Sequence, residues 1–145
     1  MKLNQLSVFL ENKPGQLRAV CSLLAKADIN ILTLTLADTK QFGILRLILE
    51  EWERAKKILE EGGFAVNITE VLAFEVADRP GGLAKLLDIF EAANLNLEYM
   101  YAFTARHGDK AIIIFRLDDP DAALRELQAH KVNLVPGIEL YARVK

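Results

Sequence analysis

The chain has 145 residues, 52% of them hydrophobic and 26% charged, and its 20 acidic and 18 basic side chains leave a formal net charge of −2. That balance, without any Lys/Arg block, excludes the electrostatic footprint of a nucleic-acid binder or of a protein held to an anionic membrane. One cysteine excludes an internal disulfide and a cysteine zinc cluster; with no apolar run of membrane-spanning length and no signal-like apolar region behind Met1, a cytoplasmic globular protein is expected.

The first element is a strand, because Leu6, Val8 and Leu10 alternate ahead of Pro14-Gly15. Leu17, Val20, Cys21, Leu24 and Ala27 then recur at the spacing of one helix face, which ends near Asp28. Ile29 to Ala37 is rich in β-branched residues and reads as a second strand. A third, Ile44 to Glu50, turns Leu45, Leu47 and Leu49 to one side and Ile44, Arg46, Ile48 and Glu50 to the other. A helix beginning near Trp52 carries Ala55 and Leu59 inward, and Phe64, Val66 and Ile68 alternate as a closing strand. The series is βαββαβ.

The same series then starts again. Glu11-Asn12-Lys13-Pro14-Gly15-Gln16-Leu17 recurs sixty-six residues later as Ala77-Asp78-Arg79-Pro80-Gly81-Gly82-Leu83. At the same offset Ala27-Asp28-Ile29-Asn30-Ile31 recurs as Ala93-Asn94-Leu95-Asn96-Leu97. Leu72, Phe74 and Val76 open the second copy, and Leu83, Leu86, Leu87, Phe90 and Ala93 form its helix face. Leu95 to Ala105 reads as its second strand. The third turns Ile113, Phe115 and Leu117 inward and Ile112, Ile114, Arg116 and Asp118 outward. Asp118-Asp119-Pro120 starts a helix carrying Ala123 and Leu127, and Val132 and Leu134 close the set.

Two domains, 1–69 and 70–145, are therefore expected. The fold class is α+β: two ferredoxin-like βαββαβ domains, each an antiparallel sheet with both helices on one face. No Gly or Pro interrupts Phe64 to Val76, so one copy's last strand runs straight into the other's first, an arrangement that invites strand exchange. After Pro136-Gly137, Ile138 to Val144 reads as an extra C-terminal strand covering an open sheet edge.

The turn between first strand and first helix is the best place for chemistry in each copy. Proline at the first helical position has no N–H to lose. A glycine beside it removes the β-carbon that would block a ligand from the backbone. The first amides of a helix lack intrahelical partners and sit at the positive end of its dipole, so they suit a carboxylate or phosphate. Asn12 and Asp78 precede the turns, where each suits a cap or an acceptor for an ammonium group.

Asn12-Lys13-Pro14-Gly15-Gln16-Leu17 behind a strand, the apolar helix, and Ala27-Asp28-Ile29-Asn30-Ile31 together resemble the ACT domain. Asp78-Arg79-Pro80-Gly81-Gly82-Leu83 and Ala93-Asn94-Leu95-Asn96-Leu97 repeat the resemblance, which covers nearly the whole chain and looks like the stand-alone tandem ACT proteins. It implies a regulatory protein that binds an amino acid between two ACT units, against the turn of one and the second-strand start of its neighbour. The implied ligand residues are Asn12, Lys13, Pro14, Gly15, Gln16 and Leu17 with Asn30 and Ile31, and Asp78, Arg79, Pro80, Gly81, Gly82 and Leu83 with Asn96 and Leu97. Asn12 departs from the acidic residue common at that position, which predicts unequal sites.

Cys21 aligns with Leu87 and reads as core. His107 and His130 lack neighbours at metal-ligand spacing, so no metal site is expected, nor any cofactor. Tyr99, Tyr101 and Phe103 share one strand face opposite Met100, packing in the sheet or walling an effector's side chain. The outward isoleucines predict a covering sheet, from a homodimer or from folding back of the two copies.

Lys40-Gln41-Phe42-Gly43 faintly matches an RNA-recognition signature but lacks the stacking aromatics. A metal chaperone would need a cysteine pair in the first loop, and a hydrolase using Arg79 would lack a water-activating partner. The reading that stands first is a non-catalytic small-molecule sensor taking an amino acid, a homodimer with a regulated protein partner. The alternative is a ligand-free structural or partner-docking module; an enzyme comes a distant third.

Overall fold

The elements run β1 (Leu3–Glu11), α1 (Gln16–Lys26), β2 (Thr33–Asp38), β3 (Phe42–Ile48), α2 (Trp52–Glu61), β4 (Ala65–Ala77), α3 (Gly82–Ala92), β5 (Leu97–His107), β6 (Lys110–Leu117), α4 (Pro120–Ala129) and α5 (Gly137–Arg143). The structure is a computed structural model, and it describes residues 2–38, 41–130, 132–135 and 137–143. Contacts gather into two compact units: a first of Asn4–Thr69, and a second running from Glu70 onward that also takes in Lys2 and Leu3. Among the described residues no helix is long and apolar enough to cross a membrane.

In the first unit the strands lie in the order β2-β3-β1-β4, with β1 and β2 both antiparallel to β3. The register sets Leu6 against Leu47, Val8 against Leu45 and Leu10 against Gly43. These residues share a face, and they join Val20 and Leu24 of α1 and Ala55 and Leu59 of α2 in one buried cluster. Both helices therefore cover the same side of the sheet, as the alternation predicts. Burying each such side chain stabilises by about 1.5–3 kcal/mol, so this face defines the unit.

The second unit repeats the plan around β4-β6-β5. Leu72, Phe74 and Val76 meet Phe115 and Ile113 of β6, Leu86 and Phe90 of α3, and Ala123 and Leu127 of α4. Phe74, Phe90 and Phe115 pack edge-on or tilted with ring centroids 5.2–6.2 Å apart. An aromatic trio thus fills a space that the first unit fills with aliphatic residues.

Strand β4 belongs to both units: its thirteen residues run without a break from Ala65 to Ala77. The strand order through it is β2-β3-β1-β4-β6-β5, so the two expected ferredoxin-like halves have this strand in common.

The extra C-terminal strand is not formed. Gly137–Arg143 is helix α5, with Glu139 in its first turn and Leu140 fully buried; Val144 lies outside the described residues. Glu, Leu, Ala and Arg are strong helix formers, and the acid suits a helix start. The edge that the strand was to cover is already used, since Glu75 N donates to Asn133 O and Val135 N to Ala73 O. The expected closing strand at Val132 and Leu134 shrinks to a single bridge between Leu134 and Phe74.

Of the outward isoleucines, Ile48, Ile112 and Ile114 are buried and Ile44 is half-buried. Phe103 is buried too, while Met100 on the opposite face of β5 is partly exposed.

Candidate functional site

Each copy turns from strand to helix in the same way. Gly15 has φ 90° and ψ −11°, and Gly81 has φ 85° and ψ −8°. Asn12 N donates to Gln41 O and Asp78 N to Asp109 O, each at 3.0 Å. Lys13 N donates to Glu11 O at 2.9 Å, and Arg79 N to Ala77 O at 3.0 Å.

The prolines precede the helices instead of opening them, and the glycines are the N-caps. A β-carbon at Gly15 or Gly81 would meet nothing within 4 Å, so these glycines are required by their left-handed φ and not by a lack of space. The N-cap glycines have no side chain of their own to cap the helices.

At the first corner the turn borders a cavity of about 90 Å³. Asn12, Lys13, Gln16 and Leu17, all expected from sequence, line it together with Leu10, Glu11, Leu36 and Gly43, which were not. The rim carries both signs of charge, and Lys13 Nζ lies 3.0 Å from Glu11 Oε2 with both side chains more than half exposed. The floor is apolar and comes from three strands.

Gly43 explains the opening. β3 turns Leu47, Leu45 and Gly43 toward the helices, and the third lacks a side chain between Leu10 and Leu36. A signal for it lay in the sequence, where the inward alternation at Leu49, Leu47 and Leu45 reaches a glycine.

Asn30 and Ile31 do not line this cavity. Their counterparts Asn96 and Leu97 line a cleft of about 330 Å³ with Phe90, Glu91 and Asn94, to which the turn Asp78–Leu83 contributes nothing. Neither of these two cavities is shared by a turn and a second-strand start.

Residues 1–142 match a family described as an ACT domain pair. The chain belongs to the ACT domain pair family. Among solved structures this ACT pair is 40% identical to protein BT0572 from Bacteroides thetaiotaomicron, over 97% of this chain and 96% of that one, with a TM-score of 0.90. The fold alone is shared with the ligand-free regulatory subunit of aspartate kinase from Thermus thermophilus, at 16% identity over 87% of this chain and 91% of that one and a TM-score of 0.62. The regulatory subunit of aspartate kinase from Thermus flavus gives 17%, 87%, 90% and 0.60. Among curated proteins nothing matches the chain.

Proposed function

We propose that this ACT pair is a non-catalytic regulatory protein of the cytoplasm that takes an amino acid at its strand-to-helix corners. The residues assigned to the ligand are Asn12–Leu17 and Asp78–Leu83, with Asn30, Ile31, Asn96 and Leu97 as the complementary half offered to a neighbouring unit. The first-corner cavity carries the reading: the N-terminal end of α1 suits a carboxylate, Glu11 suits an ammonium group, and an apolar floor remains for a side chain. Membership of the ACT family supports it.

A regulator responds only if its states differ in affinity for the effector. In this reading a homodimer brings one copy's second-strand start to another's turn and passes the response to a partner protein. The test is a thermal-denaturation panel of single amino acids. A ligand at a hundred times its dissociation constant adds about 2.7 kcal/mol. A panel with no shift at all would refute the proposal.

One observation favours the docking alternative. Leu34 is 41% and Leu36 49% exposed on β2, an edge strand, and an edge with exposed leucines is suited to pairing with another chain. Saturating amino acid that leaves both stability and self-association unchanged would favour that reading.

A further inference from the structure

The first-corner cavity has a floor of defined size, and its size limits what the corner accepts. The cavity measures about 90 Å³. Leu10 and Leu36 wall it, and Gly43 leaves it open from below.

Space at Gly43 is narrow. A β-carbon there would stand 3.3 Å from Leu36 Cδ1 and 3.8 Å from Ala37 O. An added methyl therefore occupies the floor and presses on Leu36, whose partial exposure lets it give way without breaking the core. The second copy shows that the fold tolerates that methyl: Val76 pairs with Ala111 in the register where Leu10 pairs with Gly43. Ala102 stands there in place of Leu36, each opposite the next inward residue of its neighbour, Ile113 or Leu45.

We infer that Leu10, Leu36 and Gly43 form a side-chain subsite for an aliphatic group, and that Gly43 sets its size. The inference rests on the amino-acid reading above and names the class of side chain that reading leaves open. Valine- and leucine-like ligands fill the floor. Glycine leaves it empty, an aromatic ring would have to displace Leu36, and a charged terminus gains less than an aliphatic one against the two leucines.

The experiment is calorimetric titration of the full chain, and of Gly43→Ala and Leu36→Ala, with glycine, alanine, valine, leucine, phenylalanine and arginine as separate ligands. Valine or leucine binds the unaltered chain tightest. Gly43→Ala weakens leucine roughly tenfold or more, the range for one methylene in an apolar pocket, while alanine changes by less than about threefold. Leu36→Ala acts in the opposite sense, bringing phenylalanine up relative to leucine; since that side chain is half exposed, this variant decides the matter if Gly43→Ala does not fold. Phenylalanine or arginine binding tightest to the unaltered chain overturns the subsite, as does a Gly43→Ala variant that weakens every ligand equally. If none of the six binds, the amino-acid reading falls and the subsite with it, an outcome distinct from binding in the wrong order.

Discussion

The two strand-to-helix corners share one backbone and differ in what surrounds it. Their glycine dihedrals agree within 5°, and their turn hydrogen bonds are paired one for one. Yet Gln16 N reaches Lys13 O at 3.5 Å, while Gly82 N reaches Arg79 O at 3.0 Å. Gln16 carries a side chain, whereas a β-carbon on Gly82 would collide with the Ala77 carbonyl oxygen. Leu17 is exposed and Leu83 half-buried. The lesson is that the Pro-Gly step encodes the path of the chain, whereas the neighbouring side chains decide whether that path encloses space.

The sharpest way to break this comparison is to exchange the residues that open the helices. Gly82→Ala drives a methyl into backbone that cannot rotate away, and a loss of about 3 kcal/mol is expected in urea denaturation. Gln16→Ala, at the matching position, should stay within about 0.5 kcal/mol. Equal losses would show that the corners are packed alike.

Next in size is the coupling of each corner to ligand. Gly15→Val forces φ out of the left-handed region and displaces the first-turn amides, so the ligand-dependent gain of about 2.7 kcal/mol should disappear. Gly81→Val loses intrinsic stability for the same backbone reason and, because the cavity lies at the first corner, should remove the smaller share of that gain. A thermal shift abolished by the second variant and not by the first would assign the ligand to the other corner.

The second helices supply a smaller contrast. Asp119 accepts from Ala122 N at 3.0 Å and caps α4, while Glu51 makes no side-chain cap on α2. Asp119→Ala should cost about 1 kcal/mol, and Glu51→Ala a few tenths at most.

The smallest effect belongs to Lys2, whose ammonium lies 2.8 Å from Glu70 and 3.0 Å from Asp121. Hydrogen bonds to these two carboxylates raise its pKa above 10.5, against a lesser opposing effect of burial. A raised folded pKa means that its contribution is complete below 10.5 and is lost as pH climbs through the folded value. Lys2→Met should therefore lower the melting temperature slightly at neutral pH, with the gap closing in strong alkali.

Much of this was legible in the chain. Period-two leucines at β1 and β3 and helical spacing in α1 and α3 specify both cores, because burial of one face fixes register. The sixty-six-residue offset located both turns. Helix α5 was misread because Ile138, Leu140 and Ala142 also alternate, and a seven-residue run is too short for periodicity to separate strand from helix. The cavity floor escaped notice for a different reason. Leu10 is far in sequence from Leu36 and Gly43 and meets them only through strand pairing, so the glycine that ends the β3 alternation does not by itself reveal a floor.

Strand β4 has a consequence of parity. Val66 and Ile68 serve the first core, and Leu72, Phe74 and Val76 the second, all at even positions of one strand without a seam. Inserting one residue after Glu70 would invert the faces of the downstream half and turn Phe74 out of its aromatic trio; inserting two would restore the phase. Lengthening between the copies is thus quantised, and an odd step is forbidden where an even one is merely inconvenient.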